Sequence, residues 1–142
     1  MTKVCELNSD NAYLYLPQIA RKQIRLCWHD DYYHGPITGL LEYHGEKYWF
    51  HMCDENLQHA NDPSWHRRYL VIELSPAQLQ EEEEWHNLFR EKVGTHTDYN
   101  AQGYREPGHI HSQQSQVEFY RAYNEREEPD YSDNNVIGWF QL

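Results

Sequence analysis

Hydrophobic and polar residues alternate in two stretches of the first half of the chain. In the first stretch, 24–29, every second residue from Ile24 onward is large and apolar. The second stretch, 37–53, shows a similar alternation on both sides of His44-Gly45. A period of two residues is typical of β-strands that bury one face. The sequence therefore predicts a strand at 24–29 and a β-hairpin at 37–53.

A two-residue turn at His44-Gly45 determines which residues of this hairpin face each other. On one face, the predicted pairs are Leu41 with Tyr48, Gly39 with Phe50 and Ile37 with Met52. On the other face, they are Glu42 with Lys47, Leu40 with Trp49 and Thr38 with His51. A slip by one residue would turn one strand over relative to the other, so the pattern supports this register. A three-residue turn is the alternative, because histidine only moderately favours the left-handed backbone conformation.

Two further segments have the composition of buried strands. Residues 69–74 are apolar on both faces apart from Glu73, which predicts an inner strand. Residues 136–142 are too apolar for a free tail, so we expect them to be held in the sheet. Polar, turn-rich loops are predicted at 54–64, 95–114 and 125–135. The stretch 115–124 fits either a strand or a helix, and its alternation favours the strand. The first 23 residues give no clear prediction.

The segment from Ser75 to Gly94 has the clearest helix signals in the chain. Ser75 is a suitable N-cap, Pro76 suits the first helical position, and Gln78 can complete a capping box. Gly94 provides a stop, so a helix is predicted over 76–93. Its apolar side, which we expect to face the sheet, carries Trp85, Leu88 and Phe89.

Strands followed by a helix that must cover a sheet predict an α+β fold. We expect a single domain over 1–142, with a mostly antiparallel sheet of about five strands covered by one long helix, 76–93. The 12 tyrosines and 5 tryptophans predict a thin aromatic core with polar hydroxyl groups at its rim.

The charge of the chain limits its partners. A net charge of -11 argues against binding to nucleic acid or to an anionic membrane, because both require a positive field. A basic protein is the partner that this charge favours. The three cysteines form no CxxC motif, and no apolar stretch resembles a signal peptide or is long enough to span a bilayer. We therefore expect a reduced, cytoplasmic protein of unspecified oligomeric state.

One candidate site lies on the predicted helix. Glu82 and His86 are one turn apart on the same side, beside Trp85. Burial at this position would shift the protonation of either group, so that Glu82, or an aspartate, could act as a base and His86 as an acid. The alternative is that both side chains lie at the edge of the helix–sheet contact and have no catalytic role.

The second candidate site is the loop 28–36, which joins two predicted strands. Loops held by a rigid sheet often bind ligands, and this loop concentrates imidazole, carboxylate and aromatic groups. A site between this loop and the helix would use Asp31, Glu82 and His86 as catalytic residues. Its ligand-binding residues would be Trp28, His29, Asp30, Tyr32, Tyr33, His34 and Trp85.

Other kinds of site have weaker support. His51 with Cys53 and His109 with His111 could form a metal-stabilised module, but their spacing matches no familiar zinc motif. The chain has no nucleophile elbow and no glycine-rich phosphate loop. We predict no cofactor.

Two functions fit these observations. The favoured one is a small acidic protein that binds a basic protein partner, as inhibitors or immunity proteins do, because strong negative charge and many aromatic residues promote such contacts. The alternative is an enzyme or small-ligand binder whose site lies between loop 28–36 and helix 76–93. Convergence of the loop and the helix on one cleft would favour the alternative.

Overall fold

A six-stranded antiparallel sheet forms the centre of the fold. The structure is a computed structural model that describes residues 1–7, 9, 11–32, 34–58, 61–62 and 64–142. The strands are β1 (Thr2–Lys3), β2 (Ile24–His29), β3 (Thr38–Tyr43), β4 (Glu46–Asn56), β5 (His66–Ile72) and β6 (Asn135–Gln141). Their order across the sheet is β1-β6-β5-β4-β3-β2. The helices are α1 (Pro76–Lys92) and α2 (Gln113–Glu125).

The predicted mixed fold is confirmed in outline. Five strands have six residues or more, which agrees with the expectation of about five, and the two-residue β1 is the sixth. Two predicted boundaries need correction: β4 continues to Asn56, into the predicted loop 54–64, and the strand predicted at 69–74 is β5, which begins at His66 and ends at Ile72. A register irregularity between Met52 and Asp54 lets β4 continue beyond the predicted hairpin.

The hairpin of β3 and β4 has the predicted turn and register. Leu41 pairs with Tyr48, and Glu42 pairs with Lys47. Both turn residues have positive φ, 52° at His44 and 77° at Gly45. Positive φ at both central residues is the geometry of the two-residue turn whose twist matches that of the flanking strands.

This turn gives a first testable expectation. Replacement of Gly45 by alanine should lower the free energy of unfolding by about 1 kcal/mol, because a side chain at φ 77° is strained even where space is open around it. Urea denaturation measures the change. His44→Asn is the control and should be neutral or slightly stabilising, since asparagine tolerates the left-handed conformation. An unchanged midpoint for the Gly45→Ala variant would contradict the turn assignment.

The C-terminal segment is held inside the sheet, as its composition predicts. β6 pairs with β1 on one side and with β5 on the other. Trp139 and Phe140 are both buried, and Phe140 has no exposed surface. The last strand is therefore part of the core.

The first helix begins and ends close to the predicted residues. The Ser75 hydroxyl oxygen accepts a hydrogen bond from the Gln78 backbone N–H, and the Gln78 side-chain oxygen accepts one from the Ser75 N–H. This reciprocal pair is the predicted capping box. At the other end, a side chain at Gly94 would collide with the carbonyl oxygen of His109, so the stop also accommodates a close chain crossing.

The sequence pattern favours a strand at 115–124, and this prediction is wrong. The segment belongs to α2, whose N-cap is Ser112. Ser115 is inside the helix, and its hydroxyl donates to the Lys92 carbonyl at the end of α1. Phe119 and Tyr123 are one turn apart on α2 and pack against α1, so a contact with another helix selects the helical conformation.

The apolar side of the first helix faces the second helix. Trp85, Leu88 and Phe89 pack with Phe119 of α2 instead of facing the sheet as predicted. On the sheet side of α1, the His86 ring stacks 4.1 Å from that of Trp28 in β2, and Leu79 packs against the sheet core. Within the described residues, no helix is both long enough and apolar enough to cross a membrane.

Candidate ligand-binding cavity

A partly enclosed cavity of about 100 Å³ lies where the end of β2, α1 and α2 meet. The segment 28–32 forms one wall. The α1 wall consists of Glu82, Trp85, His86 and Phe89. The α2 wall consists of Phe119, Tyr120 and Tyr123. The cavity therefore has a mainly aromatic lining into which the three carboxylates Asp30, Asp31 and Glu82 are set.

The aromatic walls are fixed by contacts among the rings themselves. The Trp28 ring packs edge-on against Trp49, with 5.7 Å between centroids. On the helix side, Trp85 contacts Phe119 and Tyr123 edge-on at 6.1 and 5.4 Å. Edge-on contacts at these distances are favourable for aromatic pairs, so the lining is organised before any ligand binds.

His86 forms the boundary between the cavity and a separate cleft behind it. Its ring is nearly parallel to that of Trp28, at an interplanar angle of 5°. Its Nε2 lies 2.6 Å from Oδ1 of Asp98, and the other oxygen of Asp98 accepts from Arg90 Nε at 2.8 Å. The Asp98 contact orients the imidazole and engages Nε2, so any proton transfer into the cavity would have to use Nδ1.

All three carboxyl groups accept hydrogen bonds from hydroxyl donors, and the two shortest of these bonds are at Glu82 and Asp30. Tyr131 donates to Glu82 at 2.6 Å, and Thr38 donates to Asp30 at 2.6 Å. Burial raises the pKa of Glu82 and of Asp30, and each hydroxyl donor opposes that effect. The site therefore combines acids of reduced acidity with a largely apolar wall, as at many functional sites.

Asp31 lies at the more exposed rim of the cavity. The Tyr120 hydroxyl donates to its Oδ2 at 3.1 Å, and Nε2 of His96 lies 3.6 Å from its Oδ1. In the described part of the chain, neither lysine nor arginine forms an ion pair with Asp30, Asp31 or Glu82. Burial raises the pKa of Asp30 and of Glu82 and the charge of Arg126 opposes this rise through space, but no lysine or arginine in the described part of the chain is paired with the three carboxyl groups.

His29 adds a buried neutral base to the lining. Its side chain is 3% exposed, and its Nδ1 has no hydrogen-bond partner among the described residues. Burial lowers the pKa of His29 to about 4, and the Arg105 charge acts in the same direction. The imidazole is therefore neutral at pH 7 and has an unused polar atom.

The structure brings most of the predicted site residues together. Trp28, His29, Asp30, Asp31, Tyr32, Glu82, Trp85 and His86 all line the cavity. Tyr33 is outside the described residues, and His34 is exposed and does not line the cavity. Whether Glu82 acts as a base or His86 as an acid stays a prediction.

Sequence reasoning missed the wall that α2 provides. Phe119, Tyr120 and Tyr123 became site residues only because 113–125 is helical. The spacing of Phe119 and Tyr123 by four residues was the available signal, together with Ser112 as a possible N-cap. The Glu82 partner Tyr131 and the His86 partner Asp98 were also missed, since both come from loops.

The four side chains of the possible metal module are not assembled into one site. Among the residues that the structure describes, no group of three or more histidine, cysteine, aspartate or glutamate side chains is arranged to hold a metal ion. His109 and His111 contact each other with 4.6 Å between ring centroids, whereas His51 and Cys53 lie on β4.

Comparisons of the chain with protein-family models, with curated proteins and with solved structures gave no match. The chemistry of the cavity is therefore the basis on which a function can be inferred.

Proposed function

We propose that this protein binds a small ligand in the cavity between segment 28–32 and the two helices. The observation that supports this proposal is the convergence of loop and helix residues around one partly enclosed space. A concave, mainly apolar site with a few polar groups and perturbed protonation equilibria is the usual form of a small-molecule site. This was the alternative function predicted from the sequence.

The volume of the cavity limits the size of its ligand. An empty protein cavity of about 150 Å³ can hold benzene, which has six non-hydrogen atoms, so a cavity of about 100 Å³ holds a group of about four to five. The ligand is therefore a compact molecule or the compact end of a longer one that extends through the opening.

Titration with three compact solutes of similar shape tests the proposal. Tetramethylammonium, tert-butanol and pivalate differ mainly in charge, and backbone NMR spectra identify the residues that respond. We expect at least one solute to cause saturable shifts centred on 28–32 and 85–89. Shifts for none of the three solutes, or shifts spread evenly over the surface, would contradict the proposal.

A pair of tryptophan variants provides the control for this titration. Trp85→Leu removes part of one wall and should weaken the binding of the responding solute about fivefold. Trp65→Leu changes a tryptophan that is 39% exposed and does not line the cavity, so it should leave binding unchanged. Equal effects of both substitutions would contradict a site at this cavity.

We further propose that a basic protein partner binds to the exterior. The net charge of -11 supports this idea, and Tyr15 and Tyr104 supply exposed aromatic contact area at 94% and 71% exposure. Binding to basic proteins that does not weaken with added salt would contradict an electrostatic contribution to this contact.

A cytoplasmic location is also a proposal, supported by free Cys5, Cys27 and Cys53.

A further inference from the structure

We propose that the ligand of this cavity is a small organic cation with a methylated ammonium head, held by the aromatic walls and the carboxyl groups of Asp30, Asp31 and Glu82. This inference rests on the proposed function, because it names the class of ligand for the same site. Three kinds of observation support it.

The first observation is the imbalance of charge around the cavity. Three carboxyl groups line it, and hydroxyl donors are the main polar partners of Asp30 and Glu82. Buried carboxylates without a cationic partner are costly, so they are either protonated or neutralised by a bound cation. The Arg126 charge acts on Asp30 and Glu82 only from a distance, so an ammonium head would supply the positive charge in direct contact that the cavity lacks.

The second observation is the chemistry of the rings. Ring faces attract cations, and this attraction is strongest where the cation is shielded from water. The same aromatic group already receives a cation at its edge, where the Arg126 guanidinium lies 4.0 Å from the centroid of Tyr123 and 6.0 Å from that of Trp85. Methyl groups on a ligand nitrogen would also fill the apolar part of the cavity, which a bare ammonium would leave empty.

The third observation is an unused polar atom on a residue that lines the cavity. Nδ1 of His29 is buried and without a partner among the described residues. Because this imidazole is neutral at pH 7, it can form a hydrogen bond with a hydroxyl or an amide on the ligand without repelling the cation. A ligand with a cationic head and a short polar substituent would therefore match both the aromatic and carboxyl groups of the lining and the His29 imidazole.

Comparison of choline with 3,3-dimethyl-1-butanol tests the inference. The two molecules have nearly the same shape, but the alcohol has a neutral carbon in place of the ammonium nitrogen. In NMR titrations at matched ionic strength, we expect choline to bind about tenfold more tightly than the alcohol. Equal or tighter binding of the alcohol would overturn the cationic ligand while leaving ligand binding intact. Failure of both to bind would overturn this inference, and failure of the three compact solutes as well would overturn the proposed function.

Neighbouring glutamates on α1 offer a matched pair of variants. Glu82→Gln keeps an oxygen that can accept from Tyr131 but removes the charge, and it should weaken choline binding about fivefold while barely changing binding of the neutral alcohol. Glu81→Gln removes an exposed charge one residue away and should have little effect on either molecule. Equal weakening of choline binding by both substitutions would show only a general charge effect and would overturn the specific contact.

Discussion

Replacement of Phe140 by alanine should lower the free energy of unfolding by about 4 kcal/mol, because it removes a large ring from the centre of the sheet core. Phe140 has no exposed surface, and its ring stacks on Tyr69 at 5.2 Å and meets Phe50 edge-on at 6.2 Å. The cost combines lost burial of the ring with the cavity that remains between strands that cannot close up.

Chemical denaturation monitored by tryptophan fluorescence measures this effect. Gln141→Ala is the matched control, because Gln141 is the exposed neighbour on the same strand, and it should change stability by less than about 1 kcal/mol. If the alanine variant does not fold, Phe140→Leu should still fold with a loss of about 1 kcal/mol. A loss below about 1 kcal/mol for Phe140→Ala would contradict the placement of β6 in the core.

The second large effect is a loss of folding stability at low pH. We expect stability to fall as the pH is lowered from 6.5 toward 4, with His29 contributing about 3 kcal/mol to the loss. Burial lowers the pKa of His29 to about 4 in the folded state, whereas the unfolded chain has the ordinary value of 6.5. The unfolded state therefore binds the proton more readily in this range. The contribution of His29 is complete above pH 6.5 and is lost as the pH falls through the interval.

Replacement of His29 by glutamine isolates this contribution. The charged or titratable neighbours that act on His29 are Arg105, Asp31, His96 and His86. Asp30 and Glu82 act in the opposite sense, because their raised pKa values favour folding as the pH falls. Denaturation curves at several pH values should show a weaker acid dependence for His29→Gln than for the wild type and for the exposed control His109→Gln. Identical pH dependence in all three proteins would contradict a buried, neutral His29.

Local chemistry explains which parts of the fold could be predicted from the sequence. The turn at His44-Gly45 and the caps at Ser75 and Gln78 depend on residues within a few positions of each other. The alternation in 37–53 then fixed the strand register, because a shift by one residue would have exposed the apolar face. Such features are visible in a single sequence.

The conformation of 113–125 depended on a contact that the sequence does not display. Val117 and Phe119 follow an alternating pattern, but Val117 is 49% exposed and Phe119 is 3% exposed and packs on Phe89. The helical spacing of Phe119 and Tyr123 favours a helix because both side chains pack against α1, and the sequence alone does not show this contact. Tertiary packing overrode a weak local preference, as is common for short ambiguous segments.

The candidate site, like the fold, could be predicted only in part from the sequence. The sequence grouped Trp28, Asp31, Glu82 and His86 because loop and helix residues of suitable chemistry were each close together along the chain. It could not show that α2 completes the aromatic wall, or that Asp98 engages Nε2 of His86. These contacts join segments that are distant or irregular, where no period or motif predicts proximity.

The most direct test of the cavity uses ¹⁹F NMR of the protein labelled with 5-fluorotryptophan. Trp28 and Trp85 line the cavity, whereas Trp65 is partly exposed and does not line it. During titration with tetramethylammonium or tert-butanol, we predict saturable shifts of the Trp28 and Trp85 signals, with the Trp65 signal unchanged. Unchanged Trp28 and Trp85 signals with these two solutes and with pivalate, or equal shifts that include Trp65, would contradict a ligand-binding cavity at this place.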